Sequence, residues 1–194
     1  MIEIEKNFGI DKEKEKKLLE GAEFIGPKVF TDIYYDNSNY DVTKMDWWLR
    51  ARDGKFEMKV AIGNGGDRYE EVEDESKIKE LLKINDSGSL KDLLEKNNYF
   101  PFLVCKTIRR KYRKEGFNID IDFAEFEDGF IFEQMEIELI IEDESKAEDA
   151  ANKIVNFAAP YGLKEVNVGK ISEYLRSKRP YHYKALKDLG FWPD

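Results

Sequence analysis

The chain has 194 residues, 41% of them hydrophobic and 38% charged, with a formal net charge of -9. That length suits one domain around a substantial core, and the charge argues against general attraction to nucleic acid or to an anionic membrane, although an anionic ligand in a locally basic pocket stays open. The single cysteine, Cys105, cannot close an intrachain disulfide; with no signal sequence and no run of ~18 apolar residues, a soluble cytoplasmic protein is expected.

Strand alternation over Ile2 to Phe8 puts Glu3, Glu5 and Asn7 on one face and Ile2, Ile4 and Phe8 on the other. Asp11 caps a charged helix that runs to Leu19, with Gly21 as its stop. Lys28 to Asp36 is rich in Val, Phe, Ile and Tyr and reads as a strand, followed by the turn residues Asn37-Ser38-Asn39 and a loop over 40–46. Trp47 to Arg52 and Phe56 to Ile62 form a hairpin across Asp53-Gly54. Alternation gives Trp48, Arg50, Arg52, Glu57 and Lys59 to its polar side and Leu49, Ala51, Phe56 and Met58 to its apolar side. Gly63-Asn64-Gly65-Gly66 is a turn and not a phosphate loop, because no Gly-Lys-Ser/Thr follows. It leads into Arg68 to Asp74, where Tyr69, Glu71 and Glu73 share a face.

Ser76 to Ile84 and Ser89 to Asn97 have helical spacing, with a leucine stripe that belongs to a core. Phe102 to Arg113 returns to strand, with Thr107, Arg109, Lys111 and Arg113 at alternate positions. A turn at Glu115-Gly116 leads to Phe117 to Phe123, which carries Asp120 and Asp122 on one face, and Phe130 to Ile141 carries Glu136 and Glu138 likewise. Asp143 to Ala159 is an amphipathic helix ended by Pro160, Leu163 to Val168 reads as a short strand, and 170–189 is a helical tail interrupted at Pro180. His182 in that tail is assigned a surface or packing role, and Cys105 a packing role.

About eight strands therefore form a mostly antiparallel sheet whose polar faces divide by sign. Arg50, Arg52, Lys59, Arg109, Lys111 and Arg113 make one group; Glu3, Glu5, Glu71, Glu73, Asp120, Asp122, Glu136 and Glu138 make the other. Two arrangements fit this pattern. The groups can pair as cross-strand salt bridges on a surface. Alternatively, the sheet closes into a barrel around a solvated cavity, where arginine forks suit phosphate oxygens and all-oxygen carboxylate clusters suit a hard divalent cation.

The order of these pieces resembles the CYTH superfamily, the triphosphate tunnel metalloenzymes, and within it the animal-type thiamine triphosphatases. The resemblance rests on Ile2-Glu3-Ile4-Glu5, Asp32 with Tyr34-Tyr35-Asp36, Trp48-Leu49-Arg50-Ala51-Arg52, Glu57-Met58-Lys59 and Tyr69 with Glu71. It continues through Arg109 with Tyr112, Ile119-Asp120-Ile121-Asp122, Glu136-Ile137-Glu138, Lys170, Tyr174-Leu175, Arg179-Pro180 and Tyr183.

The resemblance implies an α+β fold built on a closed eight-stranded antiparallel β-barrel with flanking helices, residues 1–194 being one tunnel domain with a helical segment at 170–189. It implies a monomer that binds a small-molecule triphosphate, no nucleic acid and no membrane, and hydrolyses thiamine triphosphate to the diphosphate with Mg2+, or Mn2+ as the alternative ion. Carried over by position, Arg50, Arg52, Lys59, Arg109 and Lys170 bind phosphate, Trp48 stacks on thiamine with Ile171 beside it, and Glu3, Glu5, Asp120, Glu136 and Glu138 hold metal. Glu3, Glu5, Lys59 and Arg109 form the catalytic group, with Glu71 and Asp122 in support. The alternatives are a broad inorganic or nucleoside triphosphatase and a catalytically weak polyphosphate- or nucleotide-binding module. Two positions depart from the family pattern: Asn7 stands where Glu-x-Glu-x-Lys has lysine, and Ile171 where thiamine-specific relatives carry methionine.

Overall fold

A computed structural model describes residues 2–62 and 68–190. The strands are β1 (Ile2–Phe8), β2 (Glu23–Asp36), β3 (Trp47–Arg52), β4 (Lys55–Ala61), β5 (Arg68–Val72), β6 (Phe100–Lys114), β7 (Phe117–Phe126) and β8 (Ile131–Ile141). The helices are α1 (Lys12–Leu19), α2 (Glu75–Leu81), α3 (Leu90–Lys96), α4 (Ala147–Ala158), α5 (Lys170–Lys178) and α6 (Pro180–Lys187). The eight strands close into an antiparallel barrel in the order β1-β5-β4-β3-β2-β6-β7-β8. Among the described residues no helix is long and apolar enough to cross a membrane.

The barrel turns the usual distribution of side chains outside in. Ile4, Phe8, Ile119, Ile121, Met135 and Ile137 face outward, where Ala150, Ile154 and Phe157 of α4 and Leu18 of α1 cover them. On the opposite wall Leu49, Ala51, Met58 and Val72 are covered by Ile78 of α2 and Leu90, Leu93 and Leu94 of α3. Each such side chain contributes about 1.5–3 kcal/mol when fully buried. The helices thus supply the apolar layer that leaves the interior free to be polar. One end of the interior is different. There the inward face of β7 that carries Asp120 and Asp122 runs on into Ala124 and Phe126, which pack with Tyr34 and Leu103 against Tyr174 and Leu175 of α5 and Leu186 of α6.

Local signals start and stop these elements. Asp11, Asp74 and Ser89 cap α1, α2 and α3 by accepting backbone N–H bonds, and Pro180 separates α5 from α6. Several boundaries differ. β2 begins at Glu23 and not at Lys28, because 23–29 pairs with β6 across a bulge at Gly26, whose φ of 131° needs glycine. No strand forms over 163–168; Glu165 makes an isolated bridge to Phe8, where β1 has run past the end of its pairing with β5. The expected turn at Gly63 to Gly66 lies outside the described residues.

His182 packs inside. Its ring stacks on Tyr40 at 3.9 Å between centroids, and Nε2 lies 2.7 Å from Thr43 Oγ1. That hydroxyl donates its one proton to Asp36 Oδ2 at 2.7 Å, so the imidazole must be the donor to Thr43 and carries its proton on Nε2. The bond pins α6 to the connection between β2 and β3. Burial, helped by Arg179 and Lys44, pushes the His182 pKa down to about 4 from 6.5. The unfolded chain therefore binds this proton first, and stability falls as pH drops from about 6.5 toward about 4. His182→Gln keeps a donor to Thr43 and removes the titration, so it should flatten part of that decline. Thermal melts of both proteins across the range measure it, and equal slopes would exclude the imidazole.

Candidate active site

The polar interior is a cavity of about 700 Å³. Each wall follows from strand parity. β1 supplies Glu3 and Glu5, β3 supplies Trp48, Arg50 and Arg52, β4 Lys59, β5 Tyr69 and Glu71, β6 Arg109 and Lys111, and β8 Gln134, Glu136 and Glu138. Lys170 and Ile171 enter from the first turn of α5.

The two charge groups of the sequence do pair across strands, but inside the barrel. Lys59 Nζ lies 2.5 Å from Glu3 Oε1 and 2.8 Å from Glu5 Oε2. Arg109 contacts Asp122 with two nitrogens at 2.7 Å, Asp120 at 2.5 Å and Glu136 at 2.8 Å. Arg50 reaches Glu57 at 2.8 Å and Glu71 at 3.3 Å. Arg52 makes a two-pronged pair with Asp32 at 2.8 and 3.1 Å, and Lys170 Nζ lies 3.8 Å from the same carboxylate and 3.9 Å from Asp122. Beneath them the buried Phe30 ring sits 4.1 Å from the Arg52 guanidinium carbon and 5.6 Å from Arg109 and from Lys170.

These neighbours reset the proton affinities. Burial alone would lower Lys59, yet Glu5 and Glu3 hold it well above the ordinary lysine value. Burial likewise opposes the Arg109 charge, and Glu136, Asp122 and Asp120 outweigh it. Burial pushes Glu3 up, but Lys59 brings it down to about 2. Glu5 is carried up to about 8 by burial, with Glu136 and Glu3 adding repulsion. Glu138 rises to about 9 through burial and its neighbours Glu3, Asp120 and Glu136. The acid wall is thus crowded beyond what the resident cations neutralise.

Two groups of carboxylate oxygens, Glu3 with Glu5 and Glu138, and Asp120 with Glu136 and Glu138, each lie within 4.8 Å of one another. Asp120 is fully buried and its Oδ1 has no hydrogen-bond partner. An orphaned carboxylate oxygen beside an all-oxygen donor set fits a hard divalent cation.

At the end closed by α5 and α6, the Trp48 indole N–H donates to Asp46 Oδ1 at 3.1 Å, and the Tyr69 hydroxyl lies 3.2 Å from both Asp46 oxygens. Asp46 holds a left-handed φ of 54°, which Asp tolerates better than most residues. Trp48, Ile171 and Tyr183 pack on the same apolar cluster.

Of the residues predicted from sequence, Glu3, Glu5, Trp48, Arg50, Arg52, Lys59, Glu71, Arg109, Glu136, Glu138, Lys170 and Ile171 all line the cavity. Asp120 and Asp122 lie behind Arg109, buried and reached through its guanidinium. Two expected inward charges are not part of the cavity lining. Arg113 is exposed near the end of β6, and Glu73 is exposed beyond the end of β5. The sequence pattern assigned no role to Phe30 and Gln134 and no site role to Asp32, although Gln134 shares strand parity with Glu136 and Glu138.

The CYTH domain family pattern matches residues 1–170. The thiamine-triphosphatase of Macaca fascicularis is 23% identical over 213 residues, covering 98% of this chain and 91% of that one. Among solved structures, the PH1819 protein of Pyrococcus horikoshii OT3 superposes with a TM-score of 0.66 at 23% identity, covering 91% of this chain and 99% of that one. A Hippeastrum protein described as an adenylyl cyclase with a dominant triphosphatase activity superposes with a TM-score of 0.53 at 13% identity, covering 91% and 95%.

The crowding of acids makes a direct prediction. A ligand at ~100 times its dissociation constant stabilises a fold by about 2.7 kcal/mol, or roughly 5–10 °C for a chain of this size. Saturating Mg2+ should raise the melting temperature by that order. Glu138→Gln, which removes the cost of a carboxyl that must take up a proton on folding and also removes an oxygen shared by both clusters, should melt higher without metal at neutral pH and lose most of the Mg2+ increment. An undiminished increment in this variant would remove Glu138 from the cation site.

Proposed function

The chain belongs to the CYTH family, and from that premise we propose that it hydrolyses thiamine triphosphate to thiamine diphosphate and phosphate in a metal-dependent reaction. The observation that carries the reading is one cavity in which arginines and lysines, two carboxylate clusters and the aromatic side chains of Trp48 and Tyr69 come together. The macaque relative's activity and the triphosphatase activity described for the Hippeastrum protein support the substrate class.

In this reading Arg50, Arg52, Lys59, Arg109 and Lys170 grip the phosphate chain, and its oxygens take over bonds that carboxylates now make to these cations. Lys59 stays protonated between Glu3 and Glu5, so it keeps a positive charge beside the phosphoryl group. Glu3, Glu5, Asp120, Glu136 and Glu138 are assigned to Mg2+, which when bound supplies charge neutralisation and Lewis acidity at the phosphate oxygens. Asp122 and Glu71 support Arg109 and Arg50. Water adds to the terminal phosphorus as its bond to the bridging oxygen breaks, and the diphosphate leaves with that oxygen. The cationic thiazolium stacks on the Trp48 indole, whose N–H is held by Asp46, with Ile171 as an apolar neighbour.

A panel of thiamine triphosphate, inorganic triphosphate and ATP, with and without Mg2+, tests the reading. Phosphate release should require the metal and vanish with a chelator. Trp48→Ala should weaken thiamine triphosphate turnover by roughly 2- to 30-fold, the range of a cation–π contact of about 0.5–2 kcal/mol, and leave inorganic triphosphate turnover unchanged. Equal losses on both substrates would assign the chain to a broad triphosphatase, and binding without phosphate release would assign it to a polyphosphate-binding module.

A further inference from the structure

Gln134 sits on β8 two residues before Glu136 and is 3% exposed. Its Oε1 accepts the Lys170 backbone N–H at 2.7 Å, while its Nε2 donates to Asn7 Oδ1 at 2.6 Å and to Glu136 Oε1. The orientation of this amide follows from chemistry. A backbone N–H can only donate, so the Gln134 carbonyl must face Lys170, and both amide protons then face Asn7 and Glu136. Asn7 in turn directs its carbonyl at Gln134 and its Nδ2 toward Gly169, where a Cβ would stand 3.9 Å from both side chains.

We infer that Gln134 is a positioning residue that ties the N-terminus of α5, and with it Lys170, to the acid wall, and that Asn7 holds Gln134 in place. What Lys170 grips rests on the triphosphate reading above; the tie itself does not. The Lys170 N–H is one of the amides that a helix start leaves without an intrahelical partner, and Gln134 supplies that partner from the barrel. The same amide donates to Glu136 Oε1 and so holds that carboxylate in place. Asn7 belongs to this arrangement: a lysine at position 7 has no acceptor to offer the Gln134 amide. Asparagine at 7 and glutamine at 134 are thus a matched pair, diagonal neighbours across the β1–β8 ladder that sets Asn7 against Glu136.

Gln134→Met keeps the side-chain length and removes every polar contact. Hydrogen exchange at the Lys170 amide should quicken by roughly tenfold for one lost hydrogen bond, with barrel amides unchanged. Inorganic triphosphate affinity, measured by calorimetry, should fall by at least the same order, because Lys170 is no longer held at its grip. Asn7→Ala should move both readouts in the same direction by less, and it serves if the Gln134 variant does not fold. Unchanged exchange at Lys170, or quicker exchange with unchanged triphosphate affinity, would overturn the inference. A wild-type protein that binds no triphosphate would overturn the function proposed above, and the exchange rates would then decide the tie alone.

Discussion

Arg109 holds the inside of this barrel together. Its guanidinium joins Asp120 and Asp122 on β7 to Glu136 on β8 from its own place on β6, so three neighbouring strands meet at one cation. Lys59 does the equivalent on the far side, joining β4 to Glu3 and Glu5 on β1. Removing one member of a buried charged set typically costs about 3–5 kcal/mol, because its partners are left uncompensated. The apolar residues that would fill an ordinary small barrel are outside, under the helices, and so the interior must be held by charge.

That arrangement explains which features were legible in the sequence. Period-two alternation of Glu3 with Glu5, Arg50 with Arg52, Asp120 with Asp122 and Glu136 with Glu138 placed each pair on one face, and the family resemblance supplied closure and the common centre. Alternation by itself did not distinguish cavity from surface salt bridges, since parity fixes a face and not which way that face turns. Phe30 was invisible because a phenylalanine in a strand looks like core, and only the assembled barrel brings Arg52, Arg109 and Lys170 over its ring beside Lys28. Gln134 could have been found: it shares parity with Glu136 and Glu138, but it carries no charge to draw the eye. The first half of β2 was hidden by Gly26-Pro27, a pair that usually breaks strands and here forms a bulge. Arg113 and Glu73 went the other way, continuing an alternation past the point where the barrel still encloses it.

The fold is shared at 13% identity by a Hippeastrum protein described as an adenylyl cyclase, and the CYTH family pattern spans residues 1–170 of this chain. One end of the barrel is closed by α5 and α6 against Phe126 and Leu103, and Trp48, bonded to Asp46 beside Tyr69 on a tight left-handed turn, packs on that same cluster. The His182 bond to Thr43 ties α6 to this end, because the segment it pins leads directly into Asp46.

Phe30 has a consequence for the timing of any anion's arrival. Carboxylate partners must let go of Arg52, Arg109 and Lys170 when a competing anion approaches, but the ring beneath them does not compete for the same donors. Its attraction acts on the cation as a whole and persists through the exchange. The three groups therefore do not need to be gathered again on each encounter, and the cost of rearranging the site falls on the departing carboxylates rather than on the basic floor, a fixed polar environment of the kind that lowers reorganisation.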